Sequence, residues 1–262
     1  MKITTMPNGM KIAEINHYET NFLYDEIFVQ EIYSTYGLNI AEGSVVLDIG
    51  ANIGMFSLYI AQKFPGTRIF CFEPAPHALN MLRVNLAPLE DSITIFPTAL
   101  GDTVGVTEFF YYPDYSILSG MFCDEQQDLA VLRAGVQTQY MSKYKRPLSE
   151  RDLALLVGSK LQGRQKFLCP ITTLSRIMAK EEIGHVSLAK IDIERAEVAV
   201  LNGIIESDWI KIDQLVIEVH DQGAREHEII ATMLKKQGYA TQIFTEPLMI
   251  NSDIYVVVGK RL

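Results

Sequence analysis

Along most of the chain, short apolar runs rich in β-branched residues alternate with stretches whose apolar residues recur every three to four positions. The runs "VVLDIG" (45–50), "RIFCFEP" (68–74) and "ITIFPTAL" (93–100) are typical of buried strands. The stretches "GMFSLYIAQKF" (54–64) and "PHALNMLRVNL" (76–86) are typical of helices that cover such strands. This alternation predicts an α/β protein with a mainly parallel, doubly wound sheet and helices on both faces.

The same alternation returns towards the C-terminus. The runs "SLAKIDIE" (187–194), "QLVIEVH" (214–220), "YATQIFT" (239–245) and "DIYVVVGKR" (253–261) predict four more strands. The stretch "REHEIIATMLKKQG" (225–238) predicts a helix that stops at its glycine. Because only a short connection joins the last two strands, one of them should run antiparallel.

Two segments do not follow the alternation. Residues 114–165 are rich in Gln, Ser, Tyr, Lys and Arg, and so long an interruption is more often a functional insertion than an idle loop. Residues 1–44 include "ETNFLYDEIFVQEIYSTYG", which predicts helix. We therefore expect an N-terminal helical lid over 1–44 and a main domain over 45–262 that carries the insertion. Either appendage can cover a site at the carboxyl ends of the strands, where such sheets bind ligands.

Composition and charge narrow the classes of partner. The net charge of −9 over 262 residues argues against binding to nucleic acid or to an anionic membrane, since both attract dense Lys and Arg. The cysteines, Cys71, Cys123 and Cys169, are widely spaced and form neither a disulfide framework nor a CxxC metal motif. The sequence shows no signal-peptide core and no apolar run of membrane-spanning length, so the expected location is the cytoplasm.

The turn "LDIGANIG" follows the first strand of the alternation. A dinucleotide loop needs GxGxxG, whose second glycine lets the backbone approach a pyrophosphate, but Ala51 and Asn52 occupy that place here. Asp48 ends the strand with a carboxylate that suits an ammonium group better than a phosphate. Glu73, at the end of the next strand, can accept hydrogen bonds from both hydroxyls of a ribose. Ribose, ammonium and carboxylate together fit S-adenosylmethionine better than NAD.

Two longer stretches make the chain recognisable: "VVLDIGANIGMFSLYIAQKFPGTRIFCFEPAPHALNMLRVNL" and "LAKIDIERAEVAVLNGI". They resemble the FkbM family of S-adenosylmethionine-dependent methyltransferases. Together with "YYPDYSILSGMF" and "IEVHD" they are similar to O-methyltransferase units of bacterial polyketide and polyketide–peptide assembly lines. The resemblance implies a class I, Rossmann-like sheet of seven strands and S-adenosylmethionine as cofactor. Many members carry a glycine after the KIDxE core, and Arg195 in its place favours the assembly-line branch over sugar-modifying members.

The resemblance also implies which residues hold the cofactor. Its methionine end would contact Asp48, Gly50, Asn52 and Gly54. Its ribose would bind Glu73, and its adenine would lie near Thr98 and Ala99 at the end of the third strand. Asp102 is a further candidate for contact with the adenine amino group, with a turn-capping role as the alternative.

The acceptor hydroxyl needs a base, because an aliphatic alcohol is a poor nucleophile at neutral pH. His220 ends the strand "QLVIEVH", and Asp192 and Glu194 end the neighbouring strand, where a period of two points both to one face. We predict His220 as the base, Glu194 as its carboxylate partner, and Asp192 close to the methionine end of the cofactor or to the transferring methyl. Glu218 is the alternative partner of the histidine, whereas Glu197 is expected to be a surface acid in the first turn of a helix.

These residues predict an O-methyltransferase for a hydroxyl of a natural-product intermediate, which is either a free small molecule or tethered to a carrier protein. The basic run at Lys143, Lys145 and Arg146 can meet an acidic carrier helix, although a solvated loop explains it equally well. The enzymatic alternative is an FkbM-type methyltransferase for a free sugar or a nitrogen, and the non-enzymatic one is a module that binds the cofactor without turnover. The acids around His220 also allow a metal site, which we do not predict, since catecholic acceptors profit most from a metal.

Overall fold

The computed structural model of the protein describes residues 1–221, 223–245 and 254–262. Seven strands of these residues form the central sheet: β3 (Val45–Ile49), β4 (Arg68–Phe72), β5 (Ile93–Phe96), β9 (Leu188–Ile191), β10 (Gln214–His220), β11 (Tyr239–Thr245) and β12 (Ile254–Arg261). Their order across the sheet is β11-β12-β10-β9-β3-β4-β5. β12 is antiparallel to both of its neighbours and the other pairs are parallel, which confirms the predicted doubly wound sheet. The predicted start of the last strand, residue 253, lies outside the described residues.

Helices cover both faces of this sheet. Those of the described residues are α1 (His17–Tyr24), α2 (Ile32–Thr35), α3 (Met55–Lys63), α4 (Pro76–Leu86), α5 (Glu125–Tyr144), α6 (Glu150–Lys160), α7 (Leu174–Lys180), α8 (Glu197–Asn202), α9 (Glu206–Trp209) and α10 (Glu226–Lys236). Leu47 of β3 belongs to an apolar cluster with Leu174 and Leu234. Its neighbour Val46, which points to the opposite face, belongs to a second cluster with Leu82. None of the helices in the described ranges is both long and apolar enough to cross a lipid bilayer.

Local signals in the sequence set the ends of several helices. Pro76 is the first residue of α4, where its missing N–H leaves no intrahelical hydrogen bond unmade. Asp124 caps α5 with its side chain, which accepts hydrogen bonds from the N–H groups of Gln126 and Gln127. Gly238, with a φ of +85°, lets the chain turn from α10 into β11.

Residues 1–44 contain a β-hairpin as well as the helices that the sequence predicts. Its strands are β1 (Lys2–Thr5) and β2 (Lys11–Glu14). Asn85 of α4 fastens the hairpin to the main domain, because its side chain accepts a hydrogen bond from Ala13 N at 2.7 Å and donates one to Ala13 O at 3.0 Å. The segments "KITT" and "KIAE" of these strands lack the apolar run that marks the strands of the central sheet, so the sequence did not reveal them. The division between a lid and a main domain at residue 44 stays a prediction.

A second sheet corrects the prediction of one continuous strand over 93–100. Its strands are β6 (Ala99–Leu100), β7 (Gly105–Tyr111) and β8 (Gln165–Thr172), in the order β6-β8-β7. The central strand β5 already ends at Phe96, and Pro97 follows, which has no N–H to continue the ladder. β7 and β8 are antiparallel, with Tyr111 opposite Gln165. The predicted insertion therefore leaves and re-enters the fold at one strand pair, with α5 and α6 between.

Candidate active site

A cleft opens at the carboxyl ends of β3, β4, β9 and β10, with an empty volume of about 1580 Å³ that includes the solvent at its mouth. The N-terminal segment and the start of the insertion form its outer walls. Eight of the predicted site residues line this cleft: Gly50, Asn52, Glu73, Thr98, Ala99, Asp192, Glu194 and His220. Asp48 and Gly54 lie outside the lining that the described residues form, and their contacts give them other roles.

Gly50 fixes the path of the turn between β3 and α3. Its φ is +82°, a left-handed conformation that side chains disfavour. A Cβ atom at this position would lie 1.8 Å from the carbonyl oxygen of Asp192, so only glycine fits. The N–H groups of Gly50 and Ala51 donate to the carbonyl oxygen of Phe72 at 3.1 and 3.0 Å. The turn is therefore held in one shape between the end of β4 and the end of β9.

Asn52 and Gly54, which complete the motif, face different surroundings. Asn52 has a φ of +47°, which asparagine tolerates better than most residues, and its side chain donates to Ser116 Oγ at 3.2 Å. At Gly54 a Cβ atom would lie 2.8 Å from Leu82 of α4. The close approach of α3 and α4 therefore needs this glycine, and its packing does not favour the implied contact with the cofactor.

Asp48 lies behind the turn, where Lys190 is its charged partner. The carboxylate is fully buried, accepts a hydrogen bond from Ser57 Oγ at 2.6 Å and lies 3.3 Å from Lys190 Nζ. Lys190 also lies 3.1 Å from Asp192 Oδ2 and donates to Gly50 O at 2.8 Å. Burial would lower the pKa of Lys190, but the carboxylates of Asp192 and Asp48 outweigh it and raise that pKa. Asp192, whose side chain is 37% exposed, is better placed than Asp48 for an ammonium group.

Glu73 is buried at the end of β4 and faces the cleft. Its Oε2 accepts a hydrogen bond from Asn52 N at 2.9 Å and its Oε1 accepts one from Ala75 N at 2.8 Å. Burial raises the pKa of Glu73 to about 7, against the lowering effect of these two hydrogen bonds. A carboxylate has about four acceptor positions, so Glu73 can accept two more hydrogen bonds from the hydroxyls of a ribose.

Next to Glu73 the lining becomes apolar. This part of the cleft is formed by Ala75, Ala78, Ala99 and Phe109. Tyr111 belongs to the same cluster, and its buried hydroxyl has no hydrogen-bond partner in the described part of the chain. A ligand atom is therefore an expected partner, since a buried polar group without one costs free energy. Thr98 uses its hydroxyl within the protein, donating to Ala99 O at 3.1 Å and Pro170 O at 3.0 Å. Tyr111 is a site residue that the sequence did not reveal, because no short-range pattern shows which hydroxyl the fold leaves without a partner.

His220 lies among three carboxylates. Its Nδ1 is 3.1 Å from Glu197 Oε1, and its Nε2 is 3.3 Å from Glu194 Oε1 and 3.4 Å from Glu218 Oε1. The two acids considered as partners in the sequence, Glu194 and Glu218, therefore both lie beside the ring. The expectation that Glu197 is a surface acid is wrong, because it is 3% exposed. The first turn of α8 places it against the end of β10.

The protonation of this cluster follows from burial and charge. Burial alone would lower the pKa of His220, but the charge of Glu194 and the hydrogen bonds to Glu197 and Glu218 raise it well above the ordinary value. Burial raises the pKa of Glu194 to about 8, although His220 and Arg195 act in the opposite direction. The imidazole is therefore the positive member of the cluster, and Glu194 is a carboxyl that changes charge near neutral pH.

Arg195, the departure from the family pattern, fastens the insertion beside Glu194. Its backbone has a φ of +62°, and its guanidinium lies 2.6 Å from Asp128 Oδ1 of α5, with both side chains buried. Asp128 also accepts a hydrogen bond from Tyr112 OH at 2.7 Å. A buried ion pair of this kind is costly to break, because either partner left alone is an uncompensated charge. The insertion is therefore anchored at this edge of the cleft.

The N-terminal segment reaches the cleft through Glu19. Its buried carboxylate accepts hydrogen bonds from Ser116 N at 3.0 Å and from Ser116 Oγ at 2.6 Å. Ser116 in turn accepts the hydrogen bond from Asn52. The N-terminal helix, the insertion and the glycine turn are thus joined by one chain of polar contacts. Among the residues that the structure describes, no three His, Cys, Asp or Glu side chains are arranged to hold a metal ion.

The doubly wound sheet, the glycine turn and the acid at the end of β4 define a Rossmann-like methyltransferase. Within this class, the chain belongs to the methyltransferase FkbM domain family, whose pattern matches residues 48–240.

Known proteins show how far this similarity extends. The 31-O-demethyl-FK506 methyltransferase FkbM of Streptomyces tacrolimicus is 32% identical over 257 residues, which cover 98% of this chain and 95% of that protein. The AMB antimetabolite synthetase AmbE of Pseudomonas aeruginosa is also 32% identical, over 95% of this chain but only 12% of its own length. A crystal structure of methyltransferase FkbM from Methylobacillus flagellatus KT matches 90% of this chain and 47% of its own, with a TM-score of 0.54 and 13% identity, and shares the fold.

Proposed function

We propose that the protein is an S-adenosylmethionine-dependent O-methyltransferase that methylates a hydroxyl of a natural-product intermediate. The observation that carries this proposal is that Glu73 and the Glu194–His220 cluster line the same cleft. A carboxylate suited to a ribose and a group able to take a proton therefore face one space. A hydroxyl acceptor needs such a proton-accepting group, whereas a module that only binds the cofactor does not.

The residues of the cleft fit the proposed cofactor. Glu73 has acceptor positions left for the ribose hydroxyls. Tyr111 offers a hydroxyl that no described residue pairs with, beside an apolar surface suited to adenine. Asp192 is the exposed carboxylate nearest the turn, where the methionine end would lie. When bound, S-adenosylmethionine supplies a methyl group made electrophilic by its sulfonium sulfur. The protein's own part is to hold the acceptor oxygen in line with that methyl and to take its proton.

The charges of the cleft favour a neutral acceptor. Among the described lining residues the cationic side chains are Lys190 and His220, and each is already paired with carboxylates. A phosphate or carboxylate at the buried end of an acceptor would therefore find no free cation among them. The N-terminal wall is mostly apolar and aromatic, with Phe22, Leu23, Ile27, Tyr33 and Tyr36, and Glu26 is its one acidic residue in the described lining. We infer an acceptor that buries hydrocarbon beside its hydroxyl.

The relatives support a natural-product acceptor. One is named as a methyltransferase of 31-O-demethyl-FK506, and another as an antimetabolite synthetase in which the matching part is 12% of the protein. The acceptor that we propose is either a free small molecule or an intermediate tethered to a carrier protein. The acidic net charge of −9 supports an enzyme that does not act on nucleic acid or on anionic membranes. The lid over 1–44 and the insertion at 114–165 would shape the entrance for the acceptor. A free sugar, a nitrogen, or no turnover at all remain the alternatives.

The decisive experiment combines binding and turnover. Calorimetry with S-adenosylhomocysteine and with NAD tests the cofactor, and mass spectrometry then detects methylation of neutral alcohols, matched carboxylates, sugars and amines, offered free and on a carrier protein. We expect binding of S-adenosylhomocysteine and the gain of one methyl group on neutral apolar alcohols. Binding of NAD alone would overturn the proposal, methylation of amines only would favour a nitrogen acceptor, and binding without transfer to any compound would favour a module without turnover.

A further inference from the structure

We propose that Glu194, and not His220, takes the proton of the acceptor hydroxyl, and that His220 is a fixed imidazolium that positions Glu194. This inference rests on the proposed methyl transfer to a hydroxyl. It exchanges the roles that the sequence suggests for these two residues. Its support is the geometry on both sides of the imidazole ring and the free oxygen of Glu194.

Both nitrogens of His220 face carboxylate oxygens. Nδ1 lies 3.1 Å from Glu197, and Nε2 lies 3.3 Å from Glu194 and 3.4 Å from Glu218. When these acids are ionised they only accept hydrogen bonds, so each ring nitrogen then carries a hydrogen in order to make these contacts. An imidazole with hydrogens on both nitrogens has no lone pair for the proton of an acceptor. His220 is therefore poorly suited to act as the base.

Glu194 has one oxygen that is engaged and one that is free. Its Oε1 faces His220, whereas its Oε2 is buried without a hydrogen-bond partner in the described ranges, in a residue that lines the cleft. Gly120 confines the side chain from the other side, because a Cβ atom there would lie 2.6 Å from Glu194 Cβ. This packing limits the movement of the side chain, and Oε2 is the oxygen of Glu194 that is left to accept a proton.

The charges around Glu194 set the pH at which it can act. Titratable and charged groups face Glu194 from several elements. His220 and Glu218 belong to β10, Asp192 and Arg195 follow β9, and Tyr115 belongs to the insertion. Glu197 of α8 lies behind His220, and Asp128 of α5 lies behind Arg195. Burial raises the pKa of Glu194 to about 8; His220 and Arg195 lower it, and Glu218 and Asp192 raise it further. The carboxylate form therefore becomes more populated, and the rate should rise, as the pH approaches about 8.

The transfer balances in atoms and charge. The acceptor oxygen forms a bond to the methyl carbon while the carbon–sulfur bond breaks and its electron pair stays on sulfur. The acceptor proton passes to Oε2 of Glu194, which becomes a neutral carboxylic acid. His220 keeps both of its hydrogens throughout, and Glu194 afterwards loses its proton to water.

Nitrogen NMR of protein labelled at histidine measures the charge of the ring directly. The chain has five histidines, and the signal missing from His220→Gln assigns His220. We expect both ring nitrogens of His220 to stay protonated at about pH 8, where a histidine with an ordinary pKa of about 6.5 is neutral. A neutral ring at that pH, in protein that binds S-adenosylhomocysteine, would overturn the proposal.

Two variants separate the roles by their kinetics. Glu194→Gln keeps the size of the side chain but cannot take a proton, so kcat should fall by about 10²- to 10⁴-fold while the affinity for S-adenosylhomocysteine is kept. His220→Gln should retain measurable activity with a pH profile displaced upwards, because Glu194 loses a cation that lowers its pKa. The exposed Glu90→Gln makes the same chemical change on the surface and should keep wild-type kinetics.

The opposite pattern would restore His220 as the base. That pattern is activity of Glu194→Gln within about ten-fold of wild type, together with complete loss in His220→Gln at every pH despite intact binding of S-adenosylhomocysteine. If Glu194→Gln does not fold, the NMR measurement on the wild-type protein still decides; if His220→Gln does not fold, substitution of the other four histidines one at a time assigns the His220 signal by elimination. If the wild-type protein methylates no alcohol, the proposed function fails, whereas a neutral His220 in an enzyme that does methylate alcohols refutes only this inference.

Discussion

Two buried carboxylates, Glu73 and Glu194, line the same cleft in different surroundings. Both oxygens of Glu73 accept backbone hydrogen bonds, whereas one oxygen of Glu194 faces His220 and the other has no partner among the described residues. Burial raises the pKa of both, to about 7 and about 8. A carboxylate fixed by backbone donors is suited to hold a ligand, while one with a free oxygen is suited to exchange a proton. In the function that we propose, local hydrogen bonding, more than the type of side chain, separates the binding role of Glu73 from the chemical role of Glu194.

The largest effect is expected at Gly50, which lies between the surroundings of Glu73 and those of Glu194. Gly50→Ala would place a Cβ atom against the carbonyl oxygen of Asp192 at a φ of +82°. We expect a loss of about 3 kcal/mol of unfolding free energy and no measurable binding of S-adenosylhomocysteine. Gly43→Ala is the matched control, because it has a φ of +74° but open space around it, and should cost only about 1 kcal/mol. Equal losses in the two variants would show that the close contact between Gly50 and the carbonyl oxygen of Asp192 is unimportant.

Glu73→Gln should separate binding from turnover. The amide is a weaker acceptor for the ribose hydroxyls, and hydrogen bonds to charged groups contribute about 1.5–3 kcal/mol, so the affinity for S-adenosylhomocysteine should fall by about ten-fold or more. At saturating cofactor the rate should stay within a few-fold of wild type. Calorimetry and steady-state kinetics, with Glu194→Gln measured alongside, give the comparison. A variant of Glu73 that loses turnover but not affinity would contradict the division between the two carboxylates.

Glu194 should also make stability depend on pH in a definite direction. Its pKa is raised from the usual 4.5 to about 8, so the folded state holds a proton that the unfolded state releases earlier. This stabilisation is complete below the unfolded pKa and is lost as the pH rises through the folded one. Glu194→Gln lacks this titration. The Tm of the variant minus that of wild type should therefore increase as the pH rises from about 5 to about 8. A difference in Tm that is the same at every pH would refute the raised pKa.

The smallest effects concern two adjacent tyrosines. Tyr111→Phe removes a hydroxyl that has no partner in the described ranges, so the affinity for S-adenosylhomocysteine should fall by a few-fold with little change in Tm. Tyr112→Phe is the matched control, because its hydroxyl donates to the buried Asp128 at 2.7 Å, and it should lower Tm without changing that affinity. Calorimetry and thermal unfolding of both variants test the pair. Unchanged affinity in Tyr111→Phe would show that the Tyr111 hydroxyl does not bind the adenine.

The sequence predicted the sheet more completely than the site. The alternating pattern located the seven strands of the central sheet, yet the run over 93–100 was divided at Pro97 between two sheets. The residues predicted from the glycine turn and from the end of the next strand were also only partly placed in the cleft. Gly50 and Glu73 lie in the cleft, while Asp48 lies behind it on Lys190, because the face of a strand residue depends on which neighbours cover it.

By itself, the sequence determined an alternating fold, a glycine turn that lacks the second glycine of a dinucleotide loop, and acids at the ends of neighbouring strands. These are properties of periodicity and turn chemistry, which act over a few residues. Only the tertiary structure placed Glu197 against His220 and, among the described residues, left the Tyr111 hydroxyl and one oxygen of Glu194 without a hydrogen-bond partner. The charge of a side chain depends on burial and on groups brought near it from distant segments, and no spacing along the chain encodes those neighbours.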